Sequence, residues 1–397
     1  MNTPSDIFQS RYYKINRALL LSLGQWPFQG DRNRQAVFAT VSFIGITQAL
    51  TQVLALVTLR DDLEATLECV PPLIVDCVCI VKLTNLWCNM EKIKILFLHI
   101  QRDWCSWAIQ SEFEILHKFA ESGRSITIGY AGGLYTFGCL FPLAAIIPKI
   151  TGTAVQSNYS TRPIGFPYHV EYYIDLEKYY YPVLIHNYVT TAIRLTTIVA
   201  SDTCVTILVQ HCCALFSVVR YRLEHTQRSI EQDKELVTLE GDKKFYRNFV
   251  YSIQKHEDAL QFAHILETIY MKAFFLEVGL IVGAMSFSAL QAASETLTPE
   301  LAIRHGGYIT AQLLHLYIAC WLGQQIIDHS SCVYTSIYKG EWYESSSKSR
   351  RLLNMIMMRS TLPCTLTVGK MMVLSLPTFS AVIRVSASYF TVLQSVQ

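Results

Sequence analysis

Charge is what this chain of 397 residues has little of: Asp, Glu, Lys and Arg make up 16% of it, against roughly 25% in an ordinary soluble domain. The shortage is concentrated. Residues 36–58, 125–148 and 305–327 hold none of the four. Each run exceeds the roughly 20 residues needed to cross about 30 Å of hydrocarbon at 1.5 Å per residue. A soluble globular protein is excluded, and a polytopic membrane protein is indicated. The net charge of +2 is too close to balance to suggest a nucleic-acid partner. Glycine and proline are absent from Leu184 to Glu240, which removes the usual helix breakers from the middle of the chain.

Four further spans carry a few charges. Residues 65–88 hold Asp76, Lys82 and a Pro71-Pro72 pair; 182–219 hold Arg194 and Asp202; 268–294 hold Lys272 and Glu277; 366–396 hold Lys370 and Arg384. These bring the count to seven. For Asp76, Lys82, Arg194, Asp202, Lys272 and Glu277, internal pairing or snorkelling is the expectation. The first apolar run, "ALLLSL" at 18–23, is too short for a signal peptide. Residues 15–28 read instead as an interfacial or re-entrant segment.

Orientation follows from where Lys and Arg collect. The first 34 residues carry five, the segment between spans two and three five, residues 220–255 eight, and the segment between spans six and seven five. The alternate loops hold only Arg60, Lys149, Arg162, Lys178 and Arg304. The N-terminus is therefore expected in the cytosol and the C-terminus outside. The sequon Asn158-Tyr159-Ser160 falls in the 149–181 loop on the outer side, which makes Asn158 a candidate glycosylation site. That loop holds no cysteine, and the chain's twelve cysteines read as free thiols in spans or cytosolic segments.

This topology is the reverse of a G-protein-coupled receptor. The Asp/Glu-Arg-Tyr triplet and the N-P-x-x-Y motif of that class are also missing. Catalysis finds no support: "HCC" at 211–213 and the scattered histidines lack metal-ligand spacing, and neither a metal nor a cofactor is expected. A helix over 182–219 would run about 57 Å, nearly twice the hydrocarbon thickness. The fifth and sixth helices look overlong in the same way. The reading is a cytoplasmic helical anchor bundle built from parts of 205–265 and 325–364. With no internal repeat, 1–397 is treated as one domain. The fold class is all-α, a seven-transmembrane helical protein.

The C-terminal third, "YTSIYKGEWYESSSKSRRLLNMIMMRSTLPCTLTVGKMMVLSLPTFSAVIRVSASYFTVL", resembles the signature of insect odorant receptors. It has the aromatic "Y...W" step, the Arg-Leu pair, a Pro before "T-x-G-K", then "LSL..F" and "S-Y-F-T-V-L". The opening "YYKINRALLLSLGQWPFQ" resembles the N-termini of bee, wasp and ant members. The chain is short for the family's shared co-receptor, so it resembles the odorant-tuning subunit. A gustatory-type receptor channel of the same superfamily shares the topology, but its Thr-Tyr-x-x-x-x-Gln-Phe ending is absent here.

The resemblance implies a heterotetrameric, ligand-gated, non-selective cation channel in the plasma membrane, formed with the co-receptor. Its pore would be lined by the last helix. On that helix Arg384, Ser388, Thr391, Val392, Ser395 and Val396 fall on one face at i+3/i+4 steps, with Val392 and Val396 matching the family's hydrophobic gate. Lys370 is expected to snorkel at the cytosolic boundary, and Arg384 to face an aqueous vestibule or a carboxylate. The odorant pocket is implied in the outer half of the bundle, at Leu73 and Cys77, at Leu134, Tyr135, Gly138 and Phe141, at Tyr188 and Ala192, and at Tyr308 and Gln312. Apolar and aromatic walls with a few polar tips suit a small volatile lipophilic ligand.

Overall fold

The breaker-free stretches of sequence become very long helices. The computed structural model describes residues 4–106, 110–150, 166, 168–176, 178–232, 239–292, 299–339 and 347–396. After a 3-10 turn at Pro4–Gln9 come α1 (Lys14–Ser22), α2 (Asp31–Thr58), α3 (Leu63–Cys88), α4 (Met90–Ser106) and α5 (Gln110–Ile150). They are followed by α6 (Tyr180–Gln232), α7 (Leu239–Ala292), α8 (Pro299–Lys339) and α9 (Ser347–Ser360). A two-stranded hairpin, β1 (Thr367–Val368) and β2 (Met372–Val373), leads into α10 (Leu376–Val396). With 53 residues, α6 would be about 80 Å long. By length and composition α2, α6 and α7 each contain a stretch able to cross a membrane.

At a basic end α4 and α9 pack on α7, and α9 also on α8; the described residues of 166–180 lie at a loop end. At the basic end, α5 overshoots the 125–148 span by fifteen residues, so four helices are overlong rather than three. Its extension had been hidden by the charges in "QSEFEILHKFAESGR", which lower the hydropathy without breaking the helix.

The core is concentrated around α6. From Val199 to Leu223 its apolar side chains are buried on every side, with Val199, Cys204, Leu208, Cys212, Phe216 and Val219 all shielded from solvent, as expected of a helix stretch surrounded by others. Against it pack α5, α8, α7 and α3. At the basic end α4 inserts Ile93, Leu96, Phe97 and Ile100, spaced at i, i+3, i+4 and i+7. Phe97, Phe249 and Phe262 are fully enclosed there, each contributing on the order of 1.5–3 kcal/mol of transfer free energy. Residues 15–28 are not a re-entrant span. They form short α1, stopped by left-handed Gly24 (φ +67°), and Trp26 then seats edge-on against Phe8 and Phe97.

The last span is shorter than 366–396. Residues 366–375 form the hairpin, and helix begins only at Leu376. Gly369 and Lys370, both left-handed (φ +60° and +62°), hold the centre of a turn closed by the Met371 N–H to the Val368 carbonyl (3.0 Å), the geometry a type I′ turn requires. The "VGK" step thus encodes a turn, and Lys370 is exposed at its tip.

Candidate functional site

Halfway along the bundle, five helices meet in a polar node. Lys82 of α3 donates to Asp202 of α6 (2.6 Å) and to Glu277 of α7 (2.9 Å). His315 of α8 places Nδ1 3.0 Å from Asp202 and Nε2 3.5 Å from Glu277. The Tyr130 hydroxyl of α5 donates to Asp202 (2.5 Å) and lies 3.2 Å from His315 Nδ1. Two carboxylates therefore face one ammonium and one imidazole, and the Lys82 side chain is only 2% exposed. Asp202, Glu277 and His315 offer ligand atoms within 4.8 Å of one another, a spacing a divalent ion could use. The Lys82 ammonium, however, already sits where such an ion would bind. Desolvating these groups is expensive, and only mutual pairing offsets it.

Toward the loop end lies a second pair. Arg194 of α6 grips Asp76 of α3 through two nitrogens, with the guanidinium also stacked over the Tyr168 ring at 5.0 Å. Tyr168 belongs to a segment that straps the loop end. Phe166, Tyr168 and Val170 are buried there with Val183. The Glu171 N–H donates to the Thr51 carbonyl of α2 (3.0 Å), the Tyr172 hydroxyl meets His186 of α6 (2.7 Å), and His169 lies 3.3 Å from Glu68 of α3. Internal pairing thus accounts for Asp76, Lys82, Arg194, Asp202 and Glu277, whereas Lys272 is exposed.

A third cluster, at the basic end, gives His211 a role unrelated to metal. It bonds Asp103 of α4 at 3.1 Å, with Lys255 and Arg102 also close to that carboxylate. Burial pushes the Asp103 carboxyl up, but His211, Lys255 and Arg102 outweigh it and hold the group below its usual range.

The residues predicted for the odorant pocket are distributed as follows. On α5, Leu134 and Tyr135 are half-buried and Gly138 is buried. Tyr135 donates to Thr196 of α6 (3.1 Å), and a Cβ at Gly138 would lie 2.1 Å from Leu195. The neighbouring Phe137 ring covers Gly307, next to Tyr308 of α8. Tyr188, Tyr308 and Gln312 are half-buried, as is Leu73, while Cys77 and Ala192 are exposed. Around the set, α5 meets α6 through Tyr135 with Thr196 and Gly138 with Leu195, and meets α8 through Phe137 with Gly307. Leu73 and Cys77 stand on α3, which packs against α2, α6 and α7. A concave spot elsewhere, between α1, α5 and α6, is lined by Tyr13, Leu116, Gly123 and Gln210. The Phe141 side chain and the whole of Asn158 lie outside the described residues.

On α10, Arg384, Ser388, Thr391 and Val392 form one exposed face, with the Ser388 and Thr391 hydroxyls donating to carbonyls one turn back. The side chains of Ser395 and Val396 lie outside the described residues. The opposite face packs on α7 and α8: Tyr317 meets Phe379 edge-on at 5.6 Å, and the Ser286 hydroxyl donates to the Ser386 carbonyl (3.4 Å). Sequence reasoning missed Tyr130 and His315. The signal for His315 was available, an imidazole mid-way along a run free of Asp, Glu, Lys and Arg, whose other histidine, His305, stands at the edge.

Long apolar helices around buried ion clusters mark a polytopic helical membrane protein. The chain belongs to the odorant receptor family: the sequence profile described as 7tm Odorant receptor matches residues 62–387. Odorant receptor 9a of Drosophila melanogaster is 23% identical over 288 residues, 71% of this chain and 68% of that protein. Odorant receptor 63a of the same fly is 29% identical over 167 residues, 41% of this chain and 38% of its own. The odorant receptor coreceptor of Aedes aegypti is 22% identical over 143 residues, 36% of this chain and 30% of that one. In fold the chain is similar to the olfactory receptor OR5 of Machilis hrabei, solved with eugenol, at a TM-score of 0.81 and 16% identity, covering 99% of this chain and 100% of that one.

Proposed function

We propose that this chain is the odorant-tuning subunit of a ligand-gated, non-selective cation channel in the plasma membrane, assembled as a heterotetramer with the co-receptor subunit. The observation that carries the reading is the exposed face of α10. Arg384, Ser388 and Thr391 stand on a helix rooted against α7 and α8 by its other side. The Arg384 charge facing lipid would be costly, while Ser388 and Thr391 already bond to the backbone one turn back; facing a water path between subunits Arg384 is at home, and exposed Val392, with Val396, would narrow that path.

The Lys and Arg asymmetry supports a cytosolic N-terminus and basic end. The anchor bundle then lies in the cytosol, where Met355, Met358, Leu362 and Met371, each at least 64% exposed, offer apolar surface to neighbouring subunits. The ligand is a small lipophilic volatile, held in the outer half by Leu134, Tyr135, Gly138, Phe141, Tyr188, Tyr308 and Gln312, with Leu73, Cys77 and Ala192 at the margin. Asn158 in the outer loop is a glycosylation acceptor on this topology.

The test is whole-cell current from cells expressing this chain with and without the insect co-receptor, across a broad volatile panel. Odorant-evoked cation current only on co-expression, shifted by Val392→Ala, is expected. Equal current from this chain alone would overturn the tuning-subunit assignment.

A further inference from the structure

We infer that the node of Lys82, Tyr130, Asp202, Glu277 and His315 is the element that couples the odorant-facing helices to the pore helix. This rests on the reading of α10 as the pore lining. Most of the proposed odorant contacts stand on α3, α5 and α6, whereas α10 and its hairpin are fastened to α7 and α8. The Gly369 N–H donates to the Met271 carbonyl (3.1 Å), the Thr367 hydroxyl donates to Glu267 (2.8 Å), and Leu376 N–H reaches Gln324 (3.4 Å). Tyr308 and Gln312 stand on α8 itself, whereas a displacement of α3, α5 or α6 reaches α10 chiefly by way of α7 or α8. At the node that crossing is made by charge: Lys82 to Glu277, Asp202 to His315, and Tyr130 to both Asp202 and His315.

The node also sits directly behind the α10 supports. Residues two apart on a helix point about 200° apart. Glu277, buried in the node, is two residues from Phe275, whose ring would be 2.8 Å from a Cβ on Gly369 at the hairpin turn. His315 is two residues from Tyr317, which packs on Phe379. One turn of α7 and one turn of α8 thus hold the node on one face and the root of α10 on the other. Rotating either helix to release a node partner turns its opposite face against the pore helix. Since a buried charge is tolerated only when paired, the node favours a few discrete arrangements over a continuum, as a two-state coupling element requires.

The experiment compares Lys82→Met, Glu277→Gln and the double variant, each expressed with the co-receptor, by surface labelling and by odorant dose–response. Either single change leaves a charge unbalanced and lowers surface density. The double change restores the balance and with it surface density, while the half-maximal odorant concentration stays shifted by about tenfold, within the usual range for coupling between sites. A double variant with both wild-type density and a wild-type dose–response would overturn the inference, because the pair would then be structural only. Should the double variant fail to reach the surface, Tyr130→Phe keeps every ion pair and removes the shared hydroxyl: a shifted dose–response supports coupling, and an unshifted one overturns it. A wild-type pair that reaches the surface but is silent to the whole panel refutes the subunit reading itself, and the inference falls with it.

Discussion

Replacing Gly323 with alanine tests how closely α8 and the hairpin approach. A Cβ at that position would lie 2.1 Å from the Leu374 carbonyl oxygen and 2.9 Å from its carbon. Both are backbone atoms, so no rotamer change relieves the contact. Either α8 or the strand leading into α10 must move by roughly 1 Å, at an overpacking cost of about 1–3 kcal/mol. The helix-propensity gain of Gly→Ala returns up to about 1 kcal/mol, leaving a net loss near 2 kcal/mol at the upper end. Gly279→Ala on α7 is the control: nothing stands within 4 Å of its Cβ, so it should be neutral or slightly stabilising. The assay is thermal unfolding in detergent, followed with a thiol-reactive dye that reports buried Cys204, Cys212, Cys213 and Cys320 as they become exposed. Gly323→Ala should melt on the order of 5 °C below Gly279→Ala. Equal melting temperatures would refute the close approach. Evoked current should also fall more in the Gly323 variant, because the displaced segment leads directly into α10.

Three further outcomes are expected. Arg194→Gln or Asp76→Asn alone should destabilise by about 3–5 kcal/mol, as breaking a buried pair does, and the double variant should cost clearly less than their sum; additive losses in the same thermal assay would contradict the pairing. His256, buried on α7 beside Phe216, is lowered to about 4 by burial and by the nearby Arg359 charge. Its folded value lies below its unfolded one, so its contribution is complete above about pH 6.5 and is lost as the pH falls toward 4, on the order of 3 kcal/mol in all; His256→Phe should flatten that part of the stability–pH curve, and an unchanged curve would argue against it. Gly24→Ala should cost about 1–2 kcal/mol, because a left-handed residue there also meets the Arg34 carbonyl at 2.5 Å; a melt equal to wild type would contradict that geometry.

Much of the architecture was legible in composition, because hydropathy and the missing breakers report directly on span length and helix length. The buried ions were legible as anomalies but not as pairs. Lys82 and Glu277 are 195 residues apart, and their meeting depends on helix rotation, which a single sequence does not encode locally. The hairpin at 366–375 escaped notice because "MMVLSL" has the hydropathy of a span, while the turn signal rests on Gly369 alone. The proposed odorant residues came from resemblance; near them, small Gly138 and Gly307 permit close approach of Leu195 and Phe137. Tyr130 went unremarked because an aromatic in a span usually packs, and only the carboxylate across from it reveals its hydroxyl.

The enclosure of α6 has an evolutionary consequence. In its most apolar window 89% of the residues are buried, so a change in size there meets a neighbouring helix rather than lipid. A lineage acquiring a new odorant preference would find few tolerated steps along this helix, unless a second substitution compensates on the facing one. Diversification should therefore accumulate on α3, α5, α8 and the exposed start of α6 around Ile185 to Ala192, while the enclosed window of α6 stays fixed as the axis against which the variable walls are reset.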